Sequence, residues 1–220
     1  MNLHGIRLVV FDMDGVLTTH PSSWEYVHHA MGVDNSENLR LYRTGRISYM
    51  DFLRSDVNLW ISRHPGIKRE DVVKILDSIP LRENLSSAVN EIRDSGAATA
   101  IVSGGIYWLA QRIADLAAFD HIYANMILTD DAGRIIPDGN VMVEPRHKDD
   151  VIKALQKRLG ISEAETASVG DTTQDAAMFR HSAVSIAFNS VDGRLSGLAS
   201  HSANGNDLLE IARILAGKER

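Results

Sequence analysis

The sequence predicts an α/β fold, a doubly wound parallel sheet with a small helical cap inserted after the first strand. Three observations carry this. The run Leu8-Val9-Val10-Phe11 is uniformly apolar, as a strand buried on both faces must be. Further strand-like runs at Ala98–Val102, Thr166–Val169 and Val184–Phe188 alternate with stretches of helical periodicity, the pattern of a parallel sheet covered by helices. From Pro21 to about Ile79 the strand pattern disappears and every segment reads helical.

The elements follow in order. The first strand occupies residues 6–11. Ser22 and Glu25 form a capping-box pattern ahead of Trp24, Val27 and Met31, which share one helical face, and Gly32 ends that helix. A short second helix lies near Glu37–Arg43 and stops at Gly45. Ser48 caps a third, with Phe52, Leu53, Val57 and Trp60 as its apolar side; His64-Pro65-Gly66 is a turn, and Glu70–Ser78 makes a fourth. Helix 86–95 precedes the strand Ala98–Val102, after which Ser103-Gly104-Gly105 is expected to lead into a helix bearing Trp108, Leu109, Ile113 and Leu116. A short strand at 121–124 and a hairpin over Met126–Val143, with an Asp/Gly-rich turn, come next. Helix Asp149–Leu159, the strand at Thr166, a helix near Gln174–Arg180, the strand at Val184 and helices near 192–199 and 206–216 complete the chain. The expected division is a core of residues 1–19 and 80–220, a cap of residues 20–79, and a flap near 126–143.

Composition narrows the function. Of 220 residues, 44% are apolar, and the net charge is −6, a balance that argues against nucleic acid or an anionic membrane as partner. There is no cysteine, hence no disulfide, thiolate nucleophile or Cys-ligated zinc, which suits a cytoplasmic setting. No apolar run reaches the length of about 18 residues that would span a bilayer. A small molecule is the partner left to consider, and the oligomeric state is not legible.

The chemistry-bearing residues sit at strand ends. Asp12 and Asp14 follow the first strand, two residues apart and so aimed to one side of an extended chain. Ser103 and Gly104 follow the second, and Asp171 and Asp175 the third. Lys148 begins a helix. Ligands of open α/β sheets bind beyond the carboxyl ends of the strands, so these groups converge. Clustered carboxylates call for a hard divalent cation, Mg²⁺ above all, and a lysine with free backbone N–H groups calls for a phosphate. Cation, phosphate and a carboxylate nucleophile together describe phosphoryl transfer through an aspartyl-phosphate.

These motifs resemble those of the haloacid dehalogenase superfamily, and within it the phosphoserine phosphatase branch. "FDMDGVLT" matches the first motif, "IVSGG" the second, Lys148 the third and "VGDTTQDAAMF" the fourth, in order along nearly the whole chain. The resemblance implies a Rossmann-like core with a helical cap and an Mg²⁺-dependent phosphomonoester hydrolase acting on a small phosphorylated metabolite. It implies Asp12 as nucleophile and Asp14 as general acid and base. The metal would be held by Asp12, Asp171 and the Asp14 carbonyl, and the phosphate by Ser103, Gly104 and Lys148, with Asp175 behind them orienting Lys148 or a metal-bound water. A phosphotransferase that passes the phosphoryl group to an alcohol, and a non-catalytic phospho-ligand sensor, are the alternatives. The match departs at the substrate-binding positions. No acid stands between the first motif and Glu25, and the ungapped alignment puts Asp56 where the family carries a cap arginine. Arg54 lies two residues earlier, a rotation of roughly 200° on a helix. His20 at the cap entry and Arg54 are the candidate substrate contacts. Gln174 stands where the family often has Asn.

Overall fold

The computed structural model describes residues 3–190 and 193–218. In chain order, β1 (Leu8–Phe11) is followed by four helices: α1 (Ser23–Met31), α2 (Ser36–Arg43), α3 (Tyr49–Arg63) and α4 (Arg69–Asp77). After them come α5 (Leu85–Asp94), β2 (Ala98–Ile106), α6 (Tyr107–Ala117), β3 (His121–Thr129) and β4 (Ile135–Asn140). The chain continues through α7 (Lys148–Leu159), β5 (Thr166–Gly170), α8 (Ala176–Phe179), β6 (Val184–Phe188), α9 (Gly193–Leu198), β7 (His201–Ala203) and α10 (Leu209–Leu215). The strands form one sheet in the order β4-β3-β2-β1-β5-β6-β7, parallel except for the antiparallel β3–β4 pair. This is the doubly wound α/β architecture the sequence predicts.

The central strand shows why its run is apolar throughout. Val9 and Phe11 face a core shared with Leu85, Val89 and Ile92 of α5, Leu109 and Ile113 of α6, and Ile211 of α10. Leu8 and Val10 face the opposite layer, with Ile152 and Leu155 of α7 and Met178 of α8. Alternate side chains thus enter different cores, and neither face can be polar.

Two expectations need correction, and one strand was not anticipated. β2 does not stop at Val102: it continues through Ile106, its register against β3 shifting between Val102 and Ile106, and α6 starts only at Tyr107. Ser103 is therefore not a helix cap. The chain is held extended because Trp24 Nε1, Tyr49 Oη and Asn125 Nδ2 all donate to the Gly104 carbonyl, at 3.0, 3.1 and 3.0 Å. The short strand at 121–124 and the first arm of the hairpin are one strand, β3, which pairs with β2 at its start and β4 at its end. β7, which has no apolar alternation, was not anticipated; it pairs with β6 at the sheet edge. The helix expected near 192–199 is seen as Gly193–Leu198, residue 192 lying outside the described residues.

Three of the four helices after β1 share a buried polar knot. Asp56 on α3, only 1% exposed, accepts from Asn35 and Asn38 of the α2 segment, both at 3.3 Å, and lies 3.2 Å from His28 Nε2 on α1. Trp60 Nε1 donates to His28 Nδ1 at 2.7 Å, so the ring hydrogen sits on Nε2 and points at Asp56. His28, read from the sequence as an ordinary surface or half-buried residue, is thus a buried member of this knot, and the acid at position 56 ties α1, α2 and α3 together. We predict that Asp56→Ala strands these donors and lowers stability by about 3 kcal/mol, measured by urea unfolding; a loss under about 0.5 kcal/mol would contradict this role.

Candidate active site

β1 is the strand at which the sheet order reverses, with β2 on one side and β5 on the other, and the reversal leaves a crevice beyond its end. Phe11 is in register with Ile101 and Val169, and the Asp12 amide donates to the Val169 carbonyl at 2.9 Å. Asp12 therefore enters the crevice as the strand ends. The chain then turns at Gly15, whose φ of +80° suits glycine. A β-carbon there would overlap the Asp171 carboxylate, so the glycine also lets the first and fourth motifs meet.

Seven of the nine candidate residues gather here. Lys148 Nζ lies 2.7 Å from Asp12 Oδ1 and 2.6 Å from Asp175 Oδ1, all three being buried. Asp175 Oδ2 accepts the amides of Asp171 and Thr172, both at 3.0 Å. Both Asp175 oxygens are therefore engaged within the protein, and the residue acts as a bracket for Lys148 and for the turn that carries Asp171. Asp14 Oδ2 accepts from the Ser23 amide at 2.9 Å and the Ser23 hydroxyl at 2.8 Å, while its Oδ1 is buried with no hydrogen-bond partner. Ser103 Oγ accepts from the Gly105 amide at 3.1 Å, which leaves its own O–H free to donate. Gly104 lines the same cavity.

The electrostatics reflect crowding. Burial lifts Asp12 to about 7 against the opposing pull of Lys148, with Asp175 and Asp14 adding to the rise. Burial lifts Asp14 to about 6, the hydrogen bonds from Ser23 resisting. Asp171 rises to about 8 through burial and the charges of Asp12 and Asp175. Burial works to lower Lys148, but the negative charges of Asp12 and Asp175 outweigh it and the net direction is up, so the amine stays an ammonium.

One ammonium does not satisfy this much acid. Carboxylate oxygens of Asp12, Asp171 and Asp175 lie within 4.8 Å of one another. Asp171 Oδ1 and Asp14 Oδ1 are buried without a hydrogen-bond partner, and Asp12 Oδ1 has only the Lys148 ammonium beside it. Orphaned hard oxygens packed against like charges are a donor set that fits a hard divalent cation.

The two remaining candidates lie elsewhere. Arg54 is not among the cavity residues; it pairs with Asp138 on β4 at 3.0 Å. His20 is also absent from the lining: its Nδ1 lies 3.0 Å from the Ser22 carbonyl and its ring packs edge-on against Tyr26. The cavity, about 490 Å³, is instead closed on the helical side by Trp24, Leu39, Tyr42, Tyr49 and Phe52, with Glu25, Asn35 and Arg43 as the polar groups. No side-chain hydrogen bond or ion pair of Glu25 or Arg43 occurs among the described residues, leaving a free acid and a free guanidinium facing the crevice. Leu39, Tyr42 and Arg43 stand at i, i+3 and i+4 of α2, a shared helical face that was the one signal in the sequence for Arg43.

The chain matches the family model of the haloacid dehalogenase-like hydrolases over residues 6–182, and it belongs to that family. Within it, the chain is similar to phosphoserine phosphatases. It is 29% identical to the phosphoserine phosphatase of Idiomarina loihiensis, over 98% of this chain and 96% of the relative. It is 27% identical to that of Methanocaldococcus jannaschii, over 83% of this chain and 85% of the relative. A solved structure described as a phospho-aspartyl intermediate analogue of phosphoserine phosphatase shares the fold, with TM-score 0.76 and 24% identity over 95% of this chain and 98% of that one.

The raised carboxyls fix the sign of a pH effect. Asp12, Asp14 and Asp171 hold protons in the folded state at pH values where an unfolded carboxyl, near 3.9, has lost them. In metal-free buffer, stability therefore falls as pH rises from about 4 to about 8. A divalent cation binding the ionised cluster should raise the thermal midpoint more at pH 8 than at pH 5. An equal rise at both, followed by differential scanning fluorimetry, would contradict the cluster as the metal site.

Proposed function

We propose that this chain is an Mg²⁺-dependent phosphatase that hydrolyses a small phosphomonoester through a phosphorylated Asp12. The observation that carries this reading is the meeting of Asp12, Asp14, Asp171, Ser103 and Lys148 at the strand-order reversal. The family and the named relatives point the same way.

Asp12 attacks phosphorus, and the Asp12 O–P bond forms as the ester P–O bond breaks. Asp14 gives its proton to the departing oxygen. Water then attacks the phosphorylated Asp12, the acyl-phosphate O–P bond breaks, and the water proton returns to Asp14. Lys148 and the Ser103 hydroxyl hold phosphoryl oxygens and stabilise charge that develops on them. Asp175 keeps Lys148 in place. The Asp12 and Asp171 carboxylates and the Asp14 backbone carbonyl would hold Mg²⁺, which when bound neutralises phosphoryl and carboxylate charge so that the two anions can meet.

A free acid and a free guanidinium on the helical side suit a leaving group bearing both an amine and a carboxylate, so phosphoserine is the first substrate to try. The helical insertion acts as the cap that excludes water, taking its substrate contacts from Glu25 and Arg43 in place of His20 and Arg54.

Phosphate release from a panel of small phosphomonoesters, with and without Mg²⁺, tests the reading. Turnover should require Mg²⁺, stop with EDTA, and vanish in a folded Asp12→Asn variant; full activity in that variant would sink the nucleophile assignment. Arg43→Ala should raise KM for phosphoserine at least tenfold with little change in kcat. An unchanged KM would show that the guanidinium does not meet the substrate.

A further inference from the structure

The first turn of α1 does more than begin a helix. Ser22 is its N-cap, accepting from the Glu25 amide, and Ser23 is the first helical residue, with no exposed surface. The amide and hydroxyl of Ser23 make three hydrogen bonds, all reaching outside its own helix. Its amide and hydroxyl both donate to Asp14 Oδ2, and its hydroxyl oxygen accepts the Ile106 amide of β2 at 3.1 Å. The hydroxyl hydrogen is thereby committed: with the oxygen receiving Ile106 N–H, the O–H is directed at Asp14. The next residue, Trp24, donates to the Gly104 carbonyl. One helical turn of the insertion thus grips the carboxyl after β1 and the end of β2 together.

Asp14 is left with two unequal oxygens. Oδ2 is saturated by donors, and Oδ1 is buried, unpartnered and on a residue that lines the cavity. An oxygen that already accepts two hydrogen bonds is a poor seat for a proton, so a proton on this carboxyl resides on Oδ1.

We infer that Ser23 is a positioning residue for the Asp14 acid: it selects Oδ1 as the oxygen that delivers the proton to the leaving group, and makes that aim depend on the seating of the helical insertion. This rests on the phosphatase reading above. Gly105 leaves room for the arrangement, since a β-carbon there would crowd both Asp14 Oδ2 and the Ser23 hydroxyl.

The test exploits leaving-group chemistry. An alkoxide needs the proton, whereas p-nitrophenolate and acetate leave without it. Because kcat/KM reports only steps through leaving-group release, it isolates this proton transfer from hydrolysis of the phosphorylated enzyme. Ser23→Ala, and Ser23→Cys as a variant of similar volume, should lower kcat/KM for the best alkyl phosphomonoester at least tenfold more than for p-nitrophenyl or acetyl phosphate. Ser23→Thr, which keeps the hydroxyl, should restore the ratio. Equal losses on both kinds of substrate, or no loss on either, would overturn the inference and leave Ser23 a packing residue. A wild-type enzyme that releases phosphate from none of these esters would fail the phosphatase reading itself, and the inference would fall with it.

Discussion

A single buried ammonium stands among several buried carboxylates, and much of the structure is arranged around that imbalance. Lys148 lies within 2.7 Å of two acids, and two more, Asp14 and Asp171, complete the cluster. Removing one charge from water is expensive, and removing several of like sign is worse. Backbone amides turned toward the cluster offset part of that cost. The amides of Asp171 and Thr172 neutralise Asp175, and the first helical amide of α1 meets Asp14. What remains uncompensated is what a metal ion and a phosphoryl group would bring.

The sheet and the insertion hold this cluster from opposite sides. β1 and β5 deliver the acids, and β2 delivers Ser103 on a stretch of extended chain. The insertion then locks that stretch through a shared acceptor, the Gly104 carbonyl, which takes Trp24 from α1 and Tyr49 from α3. Asn125, fully buried, adds a third donor and spends its carbonyl on the amides of Met142 and Val143. In a trans peptide the carbonyl and the following N–H point opposite ways, so fixing the Gly104 oxygen aims the Gly105 amide at Ser103 Oγ. The helices after β1 therefore shape the core-side machinery as well as lining the cavity.

The core of the fold was legible because its signals are local. An apolar run ending in Asp-x-Asp-Gly announces both a buried strand and what lies past it, and the alternation of elements fixes the sheet class. The convergence of Asp12, Asp14, Ser103 and Asp171 followed from the strand-end rule, whereas Lys148, which begins a helix, joined them through the third motif of the family resemblance. The misses are places where distant contacts decide. The end of β2 stays extended because of three donors that come from α1, α3 and β3. β7 is a three-residue edge element held by pairing with β6. Arg54 was a candidate because it lies two residues from the position of the family arginine; it is instead paired with Asp138 on β4. Asp56, an acid in a position where a family arginine was expected, is explained by His28, Asn35 and Asn38, none of which announces itself as its partner.

The central claim is that Asp12 carries the phosphoryl group. Its most direct test is to quench the enzyme in acid during turnover, reduce it with borohydride, and locate the modified residue by peptide mass spectrometry. An acyl-phosphate is reduced where a free carboxylate is not. The account predicts homoserine at position 12 and at no other aspartate. Homoserine at another acid, or none while phosphate is being released, would contradict it.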